Sequence, residues 1–123
     1  MNGAYGTRQA RMKTQVVNIA KDFTPFPIGR YASDGDASGE SFRRRILVPL
    51  LHQTDDVIEI DLDSASGLGS SFLEEAFGGL IRDADFTEES LKRRIKLISS
   101  DKLLVDEIWS YVSDAQKEKS NIR

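Results

Sequence analysis

The chain has no cysteine and a single histidine, His52. The first absence excludes disulfide staples, thiolate metal sites and cysteine nucleophiles. The second leaves a transition-metal site without its usual ligands. His52 reads instead as a residue near a helix end, where a cation is favourable. No charge of one sign dominates: 17 Lys and Arg stand against 20 Asp and Glu, for a net charge of −3. A protein that grips phosphate backbone carries a clustered basic surface, so nucleic acid is not an expected partner. No apolar run approaches the roughly 18 residues that span a bilayer, and the N-terminus lacks the apolar core of a signal peptide. A soluble protein of a reducing cytoplasm, not bound to a membrane, is the expectation.

What is present fits one ordinary domain of 123 residues. Residues 1–14 show no hydrophobic periodicity and read as an N-terminal arm. The domain proper is expected over 15–118, with a short tail at 119–123. Gln15–Ala20, carrying Val16, Val17 and Ile19, is the first strand. Residues 21–40 hold Pro25, Pro27, Gly29, Gly35 and Gly39 and read as a long loop, with Arg30-Tyr31-Ala32 as a short strand inside it. A helix capped by Ser38 or Gly39 follows, with Phe42, Ile46, Leu47, Leu50 and Leu51 at helical spacing. Pro49 is expected to kink it or end its first section near Val48.

Val57–Asp63 alternates apolar and acidic residues, the mark of a strand with one buried face. Ile95–Ser99 repeats the pattern. Between them lie a loop at Ser64–Gly69 and a helix over about 71–82, then a short helix at Glu88–Arg94 capped by Thr87. A last helix runs from about Asp101 to Lys117. Gly78-Gly79 inside a helix costs about 1 kcal/mol per glycine against alanine, which points to close approach of a neighbouring backbone. Strands alternating with helices favour parallel pairing and right-handed crossovers. The expected fold is α/β: a mixed, mostly parallel sheet of about four strands with helices mainly on one face.

The most informative stretch runs from Ile60 to Glu75, a strand, a tight loop and a helix start. Ser71 and Glu74 have the spacing of a capping box, and Ser70 offers a second cap. The amides and dipole of a helix start favour negative charge, so a phosphate on Ser70 or Ser71 is tolerated there and adds roughly two negative charges. Gly67 and Gly69 give G-x-G, but Phe72 stands where a dinucleotide fingerprint needs its third glycine, and no Walker lysine follows. Asp61 and Asp63 share a strand face, as paired carboxylates or as its wet side. Lys92-Arg93-Arg94 reads as a solvated helix end.

The segment IEIDLDSASGLGSSFLEEAFGGLIR resembles the core of STAS domains, the fold of anti-sigma factor antagonists. With the loop FTPFPIGRYASDGDASGESFR, the chain more closely resembles a family described as a STAS-like domain of unknown function. In antagonists of that fold, a partner kinase phosphorylates a serine at the helix start, and the phosphate breaks the protein complex. The resemblance places Ser71 at that serine and Ser70 beside it. Gly69 stands where antagonists carry aspartate.

The resemblance implies a regulatory adaptor that binds a GHKL-type ATPase or kinase, with Ser71 or Ser70 as switch and Gly67, Gly69 and Glu74 in the contact region. A small-ligand or nucleotide sensor is the other reading. It would use the 21–44 loop, with Arg30, Asp34 and Ser38, beside the 64–71 loop. A hydrolase or transferase has least support, because no nucleophile and base pair can be named. No cofactor or metal is expected.

Overall fold

The computed structural model describes residues 13–121; the expected arm at residues 1–14 therefore falls mostly outside the described residues. Among the described residues three strands form one fully parallel sheet, β1 (Thr14–Asn18), β2 (Val57–Asp61) and β3 (Ile95–Ile98), in the order β1-β2-β3. The expectation of about four strands in a mixed sheet is corrected on both counts. Arg30-Tyr31-Ala32 forms no strand. Instead a 3-10 turn at Ala32–Asp34 is held by the Asp34 carboxylate, which accepts from the Arg30 and Tyr31 amides.

Val17 pairs with Ile60, Ile58 with Ile95, and Ile60 with Leu97, so one face of the sheet is aliphatic. When successive strands add on one side, right-handed crossovers lay all connecting helices on the same face. The burial agrees. Val17, Ile58, Ile60 and Ile95 are buried, whereas Val16 on the opposite face is 63% exposed and Lys96 is exposed.

The helices cover the aliphatic face. A single turn, α1 (Ile19–Asp22), follows β1. Helix α2 spans 39–53 and starts at Ser38, whose hydroxyl accepts from the Ser41 amide. It widens into a π-type turn at Arg43–Leu47, where the Val48 amide donates to the Arg43 carbonyl. That wide turn makes room for Pro49, whose ring would otherwise press on the carbonyl one turn back. The helix continues to Gln53 and does not end near Val48. Helix α3 spans 70–82, with a second π-type turn at Glu74–Gly78. Then come α4 (Glu88–Arg94), capped by Thr87, and α5 (Lys102–Asn121). α5 passes its expected end because Lys119 reaches the Ile81 carbonyl at 2.7 Å.

Two glycine positions fix how the helices meet. A Cβ on Gly39 would overlap the Phe72 carbonyl, so the start of α2 sits directly on α3. Phe42 and Phe72, 5.8 Å apart between ring centres, pack there with Phe23. The close approach of a neighbouring backbone expected at Gly78 and Gly79 is corrected: neither meets one. They leave room for side chains: Glu74 and Arg82 cross Gly78, and the Arg43 guanidinium lies against Gly79.

Candidate switch and docking site

In a parallel sheet every strand delivers its following loop to the same edge. Here the loops after β1, β2 and β3 are tied together at that edge. The Ala20 amide donates to Ser64 Oγ at 3.2 Å, and the Ser66 amide to the Pro25 carbonyl at 3.2 Å. Asp63 accepts from Ser99 Oγ and the Ser100 amide at 3.0 and 2.8 Å. The Ser100 amide, then Ser99, hold the Asp63 carboxyl below the usual carboxylate range. Asp61 accepts from the Asp63 amide. This pair therefore closes turns, and among the described residues no group of three or more His, Cys, Asp or Glu is placed to hold a metal.

The sequence pattern places a side-chain cap at the start of α3; the structure does not have one. Gly69 is the N-cap residue, and among the described residues no side chain caps the free amides. The capping box of Ser71 with Glu74 is absent, and Ser70 is not a cap either. Both serines are exposed in the first turn of the helix. Gly69 has extended backbone angles there, and its lack of a polar side chain leaves the helix start uncapped. The hydroxyl of Ser70 faces α5, beside Tyr111, whose own hydroxyl donates to Glu107 at 2.5 Å. That bond to Glu107, with burial, raises the Tyr111 pKa.

Glu74 has a different role from the one expected. It accepts from Arg30 at 2.5 Å and from Arg82 at 2.6 and 3.1 Å. Burial pushes its carboxyl up, but hydrogen bonds from Arg82 and Arg30 outweigh that and hold it below the usual range. Next to it, Glu75 and Arg43 form a pair at 2.9 Å in which both residues are only 4% exposed. Arg30 and Arg82 also approach Glu75, at 3.6 and 3.4 Å. Loop, α2 and α3 are thus pinned by one ionic network just beyond the two serines.

Between the first two loops lies a groove of about 330 Å³, lined by Pro27, Ile28, Gly29, Gly67, Gly69, Ser70, Ser71 and Phe72. The structure therefore brings Ser70, Ser71, Gly67 and Gly69 together, with Arg30 and Glu74 one turn along α3. Asp34 and Ser38 stand apart. Asp34 holds the loop's own amides, and Ser38 is the buried cap of α2. His52 is exposed near the end of α2, against Phe86. Of the expected solvated run, Lys92 and Arg93 are exposed, while Arg94 bonds the Thr54 and Asp56 carbonyls.

Sequence reasoning missed the exposed apolar side chains of the first loop, of which Ile28 lines this groove. Phe26 and Ile28 are 72% and 71% exposed, and Tyr31 is 51% exposed. The available signal was two large apolar residues flanking Pro27 in a segment with no strand or helix period to bury them. It also missed Glu75 and Arg82, because ion pairs between distant positions leave no local pattern; Arg43, expected in the loop's polar site, instead pairs with Glu75 in the interior.

A family model described as a STAS-like domain of unknown function matches residues 38–103, more than half of the chain. The chain belongs to that family. The matched residues of this STAS-like domain run from the cap of α2 through β2, α3 and β3 to the first turn of α5. They include the loop with Gly67 and Gly69 and both serines, while the exposed Phe26, Ile28 and Tyr31 precede them. No curated protein and no solved structure matches the chain. Among the described residues no helix is long and apolar enough to cross a membrane.

Proposed function

We propose that this STAS-like domain is a regulatory protein-binding module, a partner-switching adaptor for a GHKL-type ATPase or kinase. Ser71, or its neighbour Ser70, is the switch. One observation carries the reading: two exposed serines, neither used as a helix cap, line a groove together with Ile28, on a loop that also exposes Phe26 and Tyr31. Clustered apolar side chains on a polar surface mark places where another protein docks. A phosphate at the edge of such a surface adds charge where a partner must desolvate. Affinity capture from the native host, with wild type, S70E and S71E, tests the proposal. The expected result is an ATPase held by wild type and lost with one glutamate variant. An ATPase absent from every eluate overturns it.

The second reading, a small-ligand or nucleotide sensor, has the groove itself in its favour, since about 330 Å³ lies at the low end of ligand sites. The lining favours the adaptor. The eight lining residues carry no charge, so the groove offers a nucleotide's phosphates no cation of its own. Thermal shift with ATP, GTP and cyclic nucleotides separates the two readings, because a specific ligand raises the melting temperature with concentration.

A further inference from the structure

Ser71, Glu74 and Glu75 stand at i, i+3 and i+4 on α3, so they share one face of the helix. Arg30 reaches across from the first loop and touches both glutamates, at 2.5 and 3.6 Å. Its guanidinium therefore lies over the Ser71 face, one turn further along. Ser70 shares that face with Glu74 alone, at i+4, and also neighbours Tyr111 on α5. Each glutamate has a second arginine of its own. Arg82 bonds Glu74 through two nitrogens, and Arg43 pairs with Glu75 in the interior. Arg30 is thus the redundant cation of the network. Its side chain is 32% exposed against 4% for Arg43, so it can leave without orphaning a buried carboxylate.

We propose that Arg30 is the receiver for a phosphate on Ser71, and that the resulting pair closes the groove between the first two loops. A phosphate near neutral pH carries about −1.5 to −2 charge and three acceptor oxygens. It out-competes a carboxylate for a guanidinium that can bind it bidentately. Arg30 follows Gly29, which lines the groove together with Ser71. Moving the guanidinium from Glu74 to Ser71 draws it across that opening and away from the Tyr31 ring, now 6.0 Å from it. The phosphate then works by sealing the docking groove as well as by repelling a partner. This inference rests on the switch reading above and assigns the switch to Ser71.

The test installs phosphoserine at position 71 or 70 of the full chain during translation, so no kinase is needed. Phosphorus NMR follows each phosphate's second pKa, ordinarily about 6, in wild type, R30Q and R30K. A nearby guanidinium favours the dianion, so phosphoserine 71 is expected to titrate about half a unit lower in wild type than in R30Q. R30K keeps part of that shift, and phosphoserine 70, which shares a face with only one of the two glutamates, shifts less with Arg30 than phosphoserine 71 does. The amide resonances of Gly29 and Tyr31 are expected to move on phosphorylation of Ser71 in wild type but not in R30Q. Identical titrations of phosphoserine 71 in wild type and R30Q overturn the proposal. A shift seen where host capture finds no ATPase supports the Arg30 response and overturns only the partner assignment.

Discussion

The guanidinium of Arg43 occupies the space that a side chain at position 79 would need. A Cβ on Gly79 would overlap Arg43 Nη1, which donates to the Glu75 carbonyl at 2.5 Å and to Glu75 Oε2 at 2.9 Å. Gly79→Ala removes a helix-interior glycine, a change worth about 1 kcal/mol of stabilisation at an open site. Here overpacking and displacement of a buried ion pair outweigh it, for a net loss of about 2 kcal/mol. Thermal unfolding should show a midpoint lower by about 8 °C. A midpoint at or above wild type would show that Arg43 relocates freely.

Ser38 and Ser71 offer a direct contrast. Ser38 is buried and caps α2, whereas Ser71 is exposed and caps nothing. Ser38→Ala should cost about 1–2 kcal/mol in urea unfolding, as loss of a cap does. Ser71→Ala should change stability by no more than about 0.5 kcal/mol. Equal losses would restore the capping role to Ser71.

The Glu74 pairs predict a pH dependence of defined sign. Arg82 and Arg30 hold the folded carboxyl below its ordinary value despite burial, while the unfolded chain titrates near about 4.3. Below that pH the unfolded state takes up a proton that the folded state resists. The stabilisation is therefore complete above about pH 4.3 and is lost as pH falls through the folded pKa. Urea midpoints of wild type and Glu74→Gln should differ most at neutral pH and converge toward pH 3. A gap that stays constant with pH would remove the ion pairs as its cause.

The exposed apolar residues of the first loop should separate binding from stability. Phe26→Ala and Ile28→Ala truncate side chains exposed by 72% and 71%, so unfolding should shift by no more than about 0.5 kcal/mol. Capture of the ATPase should nonetheless fall at least tenfold, as for apolar anchors at a docking surface. Undiminished capture by both variants would place the docking surface elsewhere.

Periodicity in the chain was enough for β1, β2, β3 and the helices between them, and for the aliphatic face of the sheet. Ile58, Ile60 and Leu62 alternate with acidic residues, and Phe42, Leu47 and Leu51 recur at helical spacing. Such patterns are local, and burial of one face follows from them. The Ser38 and Thr87 caps were legible for the same reason. Their bonds reach only three residues along the chain.

The strand count and the uncapped start of α3 belonged to the tertiary structure, as did the role of the paired glycines. The Ser71–Glu74 spacing is that of a capping box, but Arg30 and Arg82, 44 and 8 residues away from Glu74, claim its carboxylate instead. Gly78 and Gly79 are explained only by the side chains that cross them. The groove beside Ser71 exists because a parallel sheet gathers all its following loops at one edge. Sequence determined which residues would be apolar, capped or turned, since those choices depend on near neighbours. Which charged groups meet, and which serines stay free, depended on contacts between segments far apart in the chain, and only folding sets those.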